Sequence, residues 1–236
     1  MQYAWLIWSS VLVVIWLAVY FSLKNKESKR EMLLVSLWTS LLGFTEPLFV
    51  PEYWNPPSLF NLAARTGFDI ESFIFAFGVG GLAVIIYERI FQIRHEQIST
   101  EEKHLPRHRY HLFALLSAPI IFILLSIFTN LNPIYSATIA LIGGGLFTWY
   151  CRPNLKKKMI ASAFIFLGFY SLYFLILTTL YSDYVLQVWN LAAVSGILIL
   201  GIPLEELMFA FGLGFLWSSV HEHLKWYKIK NFDIIK

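Results

Sequence analysis

The 236-residue sequence predicts an all-α polytopic membrane protein, a transmembrane bundle of about seven helices built as a tandem repeat. Three observations carry this: a composition foreign to soluble domains, a series of apolar runs of spanning length, and a long internal self-similarity. Apolar residues make up 58% of the chain and charged residues 14%, against roughly a quarter charged in soluble domains. About 20 apolar residues cross the hydrocarbon layer, so this length holds a bundle and little else. The net charge of +3 is spread over loops and offers no footprint for nucleic acid. Cys151 is the one cysteine, which excludes an intrachain disulfide, and no His or Cys set stands at zinc or iron–sulfur spacing. Neither a metal nor a cofactor is expected.

The first run, Tyr3–Leu23, lacks a basic leader and a small-residue cleavage site, and reads as a retained helix. Further spans are expected at Met32–Val50, Ile70–Phe91, Leu112–Thr129, Pro133–Tyr150, Met159–Tyr181 and Pro203–Leu224. The remaining run, Val185–Gly201, is short for a span, is interrupted by Gly196 and closes on Gly201-Ile202-Pro203. Basic residues stay cytoplasmic, and they decide its role. Seven crossings with the N-terminus outside place every Lys and Arg except Arg65 on the inner side, the C-terminus included. An eighth would strand Lys225, Lys228, Lys230 and Lys236 outside, so Val185–Gly201 is expected to dip into the membrane or lie at its interface. The chain is thus expected to be a multi-pass protein of a bacterial-type plasma membrane.

The sequence repeats itself. Phe60-Asn-Leu-Ala-Ala64 recurs as Trp189-Asn-Leu-Ala-Ala193, and Ile70-Glu-Ser-Phe-Ile-Phe-Ala-Phe-Gly78 as Leu204-Glu-Glu-Leu-Met-Phe-Ala-Phe-Gly212. At the same offset Gly80 maps onto Gly214 and Glu88 onto Glu222; upstream, Lys29-Arg-Glu-Met32 maps onto Lys156-Lys-Lys-Met159. Each copy holds three helices, with Leu112–Thr129 inserted between them, so equivalent helices share one orientation: a parallel repeat about the membrane normal. The third helices are expected to pair across that axis, through the flat surfaces of Gly78, Gly80 and Gly81 and of Gly212 and Gly214.

Ionisable groups at membrane depth are costly, so each is a functional candidate. Glu46 lies well inside the second span; Glu71 and Glu205 are repeat equivalents; Glu206 stands where the first copy has Ser72. A plain alternative is available for Glu205 and Glu206, since Pro203 followed by acids is what a helix start looks like, with ionised carboxylates at the outer surface. Two adjacent carboxylates withdrawn from water do not both stay ionised, and the one that keeps its proton is a general acid. Glu88 and Glu222 read as interfacial ion-pairing groups, and the loop with His95, His104, His108 and His111 as solvated. Phe75, Phe77, Phe209, Phe211 and Trp189 flank the acids, and ring faces attract cations. An apolar chamber with a proton donor and aromatic walls suits acid-initiated reaction of an isoprenoid double bond.

Pro203-Leu204-Glu205-Glu206-Leu207-Met208-Phe209, preceded by Trp189-Asn190 and Gly201, resembles the Pro-x-Glu-Glu motif of the lycopene cyclase domain, the flavin-independent integral membrane class. The segment from Glu46-Pro47 to Asn55-Pro56, followed by Gly67, Glu71 and Phe75, resembles the other half of the same duplicated domain. The resemblance implies two copies in one chain: residues 1–96, a basic inner loop and inserted helix over 97–131, and a second copy at 132–236 carrying the motif. It also implies redox-neutral closure of the ends of a linear carotenoid, lycopene to γ- or β-carotene type, in carotenoid biosynthesis. The terminal double bond is protonated, the next double bond attacks the tertiary cation, and a ring proton is lost. On that resemblance Glu205 or Glu206 is the acid and its partner a base or relay, with Glu71 the matching position. The first copy reads Phe68-Asp69-Ile70-Glu71-Ser72, without the Pro and the second Glu. The alternative is a non-catalytic binder of carotenoid or polyprenyl lipid, which needs the chamber but not the proton.

Overall fold

The computed structural model describes residues 3–230. Helix dominates, as it must where no water is present to satisfy backbone N–H and C=O groups. The elements are α1 (Ala4–Ser22), α2 (Lys26–Ser40), α3 (Glu46–Phe49), α4 (Leu62–Thr66), α5 (Ile70–Phe91), β1 (Arg94–Gln97), α6 (Thr100–Lys103), α7 (His111–Phe128), α8 (Pro133–Cys151), α9 (Lys156–Leu180), α10 (Tyr184–Val188), β2 (Leu198–Ile199), β3 (Ile202–Pro203), α11 (Leu204–Trp217), α12 (Val220–Lys225) and β4 (Tyr227–Lys230).

Six segments among the described residues are long and apolar enough to cross a membrane: α1, Lys26–Phe49, α5, Pro106–Phe128, α8 and Pro153–Leu180. Pro203–Leu224, expected as one more span, is two helices, α11 and α12, broken at Ser218-Ser219. The hydroxyl of buried Ser219 donates to the Leu216 carbonyl at 2.9 Å, a local bond that competes with the helix ladder. Val185–Gly201 forms no crossing helix. It holds the single turn of α10, a 3-10 turn at Leu191–Ala193 and the hairpin β2–β3. Leu200 and Gly201 form the hairpin turn with φ of 53° and 79°, the paired left-handed conformations of a type I′ turn.

The chain divides into two compact units. The first comprises residues 1–82, 132–135 and 168–208; the second comprises 83–131, 136–167 and 209–236. Aromatic rings fill the first: Trp8 stacks on Tyr173 at 4.6 Å, Trp5 meets Trp54 edge-on at 4.6 Å, and Trp54 touches Trp189 at 5.4 Å. The loop after α3 is tied to the end of α10, with Asn55 N–H on the Val188 carbonyl and Asn190 N–H on that of Tyr53. Along α5, Gly78 faces Leu12, Gly80 faces Thr39, and Gly81 faces Ser36 and Trp16. These glycines therefore admit α1 and α2.

In the second unit β1 pairs antiparallel with β4, from Arg94 opposite Lys230 to Gln97 opposite Tyr227. Leu155, Met159, Ala163 and Phe215 form a core cluster. Gly212 faces Leu141 of α8, and Gly214 lies against Ser162 and Ala163 of α9. The expectation that the glycine-bearing helices pair through these surfaces is corrected: each glycine admits the helices of its own sequence copy, because a missing Cβ is needed where a third helix nests against two others. The solvated reading of the inner loop also fails in part. The side chain of His95 is 2% exposed and His108 is buried, the first carried on the paired strand β1 and the second at the end of the 3-10 turn Pro106–His108. Leu112, Leu116, Ile123, Leu124 and Ile127 of α7 are exposed, the pattern of a face against lipid.

Candidate active site

The hairpin β2–β3 delivers the chain at Pro203 into α11, where a missing N–H costs nothing, and Glu205 and Glu206 occupy the first turn. Glu205 is 1% and Glu206 6% exposed, so they are not caps at the surface. Such acids need partners.

Glu206 has three. The hydroxyl of Tyr53 donates to Oε1 at 2.7 Å, the Trp189 indole N–H to the same oxygen at 3.0 Å, and the hydroxyl of Tyr170 to Oε2 at 2.6 Å. Burial, then the Glu206 charge, push the Tyr53 phenol well above the usual tyrosine range, so it stays a donor. Glu205 is held on one side only. Its Oε1 accepts from Ser195 N–H at 2.9 Å and from the Tyr135 hydroxyl at 2.7 Å, while Oε2 has no partner among the described residues.

Glu71 repeats that one-sided arrangement. Its Oε1 accepts from Leu59 N–H at 2.7 Å, its Oε2 has no partner among the described residues, and it is 1% exposed. Asp69 accepts from Ser72 N–H and so closes the first turn of α5. Buried Glu46 opens α3 beside Asp69, Ser72 and Trp54. Trp54 in turn touches Trp189, the donor to Glu206.

Of the aromatics expected around the acids, Trp189 bonds one directly. Phe75 packs on Trp5, Trp8 and Tyr170, the last a Glu206 partner. Phe77 lies on Trp16, while Phe209 and Phe211 belong to the second unit, where Phe211 meets Phe164 and Phe215. Sequence reading missed Tyr135, Tyr170 and Ser195. Lone hydroxyls on apolar helices carry no motif, and only their position relative to the acids singles them out.

Glu88 and Glu222 pair as expected, though deep in the second unit. Lys158 Nζ lies 2.7 Å from Glu88 and contacts Glu222 as well, and His95 Nε2 lies 3.1 and 3.2 Å from the two carboxylates. Burial lowers the His95 imidazole, but its hydrogen bonds to Glu222 and Glu88 and their charge outweigh it, raising the pKa to about 10. The second unit also gathers side chains that do not stand at ligand spacing in the sequence. His108, His111 and Cys151 bring their ring nitrogens and sulfur within 4.8 Å of one another, through a long-range contact that spacing does not reveal.

Helices of membrane-spanning length, and two buried carboxylates held by phenols, one indole and a backbone N–H, define a membrane protein with a buried acid–phenol site. Residues 132–224 match the family model described as lycopene cyclase, so this stretch of the chain is similar to that family. Tyr135, Tyr170, Trp189, Ser195, Glu205 and Glu206 all fall inside the match. No curated protein matches the chain. No solved structure matches it either.

Proposed function

We propose that this protein closes the end rings of a linear carotenoid, lycopene to γ- or β-carotene type, by acid-initiated, redox-neutral cyclisation, with Glu205 as the proton donor. The observation that carries the reading is the unequal bonding of the two acids. A donor must present a free oxygen to a carbon–carbon double bond. Glu206 has both oxygens engaged by Tyr53, Trp189 and Tyr170, whereas Glu205 keeps Oε2 unengaged. Ser195 N–H and the Tyr135 hydroxyl on Oε1 stabilise the carboxylate left after transfer, as preorganised donors do where charge develops. Glu206 supplies a fixed acceptor that locks Tyr53, Tyr170 and Trp189 in place. Phe75 and Trp189 offer ring faces to the carbocation.

The first sequence copy fits a related role. Glu71 mirrors Glu205, one oxygen on an upstream backbone N–H and the other unengaged. The glycine contacts support a duplicated unit: Gly78 and Gly212 face the first helix of their copies, Gly80 and Gly214 the second. With Ser72 where Glu206 stands, the first copy lacks the phenol-locked acid, and we assign ring closure to the second copy.

The test is pigment chromatography from a lycopene-accumulating bacterial host expressing the chain. New monocyclic or bicyclic carotenoids are expected. Unchanged lycopene, with the protein shown to be in the membrane, would favour the carotenoid- or polyprenyl-binding alternative.

A further inference from the structure

Outside the acid site, the second unit gathers a set of soft ligand atoms that cyclisation does not use. His108 ends the 3-10 turn Pro106–His108, His111 opens α7, and Cys151 is the last residue of α8. The Cys151 sulfur lies 3.4 Å from His108 Nδ1 and 3.5 Å from His111 Nδ1. A tetrahedral zinc ion, about 2.3 Å from sulfur and about 2.0–2.1 Å from nitrogen, holds S and N about 3.5 Å apart. The two sulfur–nitrogen distances thus stand at the edge length of a metal's coordination shell, and all three atoms lie within 4.8 Å of one another.

The surroundings orient these ligands. Trp226 stacks on His111 with centroids 3.7 Å apart and meets His108 edge-on at 5.1 Å, fixing both ring planes. His108 turns its other nitrogen toward Arg107 Nε at 3.5 Å, the outer limit of a hydrogen bond, so Nδ1 is the nitrogen aimed at the sulfur. Arg107 and Arg109 flank His108 and Arg152 follows Cys151 in sequence, and the Arg152 guanidinium donates to the backbone carbonyls of Glu222 and Tyr227. His223 stands 4.5 Å from His111, ring to ring, and its Nε2 is buried without a partner among the described residues. A cavity of about 360 Å³, lined by Arg107, Tyr110, Phe113, Phe147 and Tyr150, reaches Cys151.

We propose that His108, His111 and Cys151 form a binding site for a divalent metal of zinc's class, joining the start of α7 to the end of α8. Two imidazoles and a thiolate are a zinc-type donor set, and three protein ligands leave a fourth position for water. The two sides of the site are forty residues apart in sequence, so a bound metal ties the inserted helix to the second copy's first helix. The proposal stands apart from the carotenoid reaction and does not depend on it.

The test uses the full chain in detergent, treated with chelator and titrated with cobalt(II). Expected are one cobalt per chain, a thiolate-to-cobalt charge-transfer band, visible bands of tetrahedral intensity, and displacement of cobalt by zinc. Cys151→Ser should abolish the charge-transfer band, and His111→Gln should weaken cobalt binding at least tenfold. His104→Gln, on the exposed side of the loop, should leave it unchanged. A wild-type protein without the charge-transfer band overturns the proposal, whatever the variants do, and so does a band that survives Cys151→Ser. If Cys151→Ser does not fold, loss of the band in His108→Gln takes its place.

Discussion

The Tyr135 hydroxyl donates to Oε1 of Glu205 at 2.7 Å, and it does so from the first turn of α8, seventy residues upstream. With Ser195 N–H on the same oxygen, that bond fixes which carboxylate oxygen is committed and which is open. On the proposed mechanism Tyr135→Phe removes one of two stabilisers of the post-transfer carboxylate without disturbing a core side chain. Cyclisation by Tyr135→Phe is expected to fall about 100- to 1000-fold, the range for loss of one preorganised donor, with the melting temperature little changed. A rate equal to wild type, measured as product formed per protein in membranes, would remove Tyr135 from the mechanism.

Glu206 should behave differently from Glu205. Its truncation leaves the Tyr53, Tyr170 and Trp189 donors buried and unsatisfied, at about 1–3 kcal/mol for each group stranded. Glu206→Ala is therefore expected to lower thermal stability in detergent markedly, whereas Glu205→Gln, which keeps one acceptor oxygen, should melt near wild type. Equal melting temperatures for wild type and Glu206→Ala would show that the phenol cage does not lock the fold.

Stability should depend on pH through His95. Its folded pKa of about 10 exceeds the ordinary value of 6.5, so the folded state binds the extra proton. Its stabilisation is complete below about 6.5 and is lost as pH rises through about 10. Glu88 and Glu222 face the ring directly, Lys158 bridges the same carboxylates, and the rings of His221 and Tyr227 lie alongside. Melting temperatures are expected to fall from pH 7 to pH 9 in wild type and to flatten in His95→Gln. A wild-type melting temperature independent of pH over that range would contradict the assignment.

The glycines of the two copies can be ranked. A Cβ at Gly214 would meet the Ser162 carbonyl oxygen at 2.7 Å, backbone that cannot swing aside. Gly214→Ala should cost about 1–3 kcal/mol, the range for overpacking. Gly168 has nothing within 4 Å of its would-be Cβ, and Gly168→Ala in α9 should gain about 0.5–1 kcal/mol. Thermal melts of the two variants check the order, and equal effects would deny that Gly214 marks a close helix approach.

The sequence made the helical bundle legible because hydrocarbon allows little else. The self-similarity of Ile70–Gly78 and Leu204–Gly212 singles out Glu71 and Glu205, and both are buried in the structure. What the sequence could not convey lies in long-range contacts. Tyr135 and Tyr170 are ordinary aromatics on apolar helices until folding sets them on a carboxylate. His108 and Cys151 look unrelated because forty-three positions separate them. The break at Ser218-Ser219 was hidden because two helices and one share the same hydropathy. The glycines mark contact surfaces in the sequence, but a periodic small-residue pattern names a face and not its partner, and the helices they face emerge only in the fold.

On the proposed mechanism Glu205 delivers the proton that starts ring closure. The most direct measurement supplies lycopene to purified wild type and Glu205→Gln, both equilibrated in heavy water, and analyses the products by mass spectrometry and NMR. Wild type is expected to give cyclised product carrying deuterium at the carbon protonated in the terminal double bond, and a Glu205→Gln protein that melts normally to give no cyclised product. Cyclised product from Glu205→Gln at the wild-type rate, or wild-type product without deuterium, would contradict the mechanism.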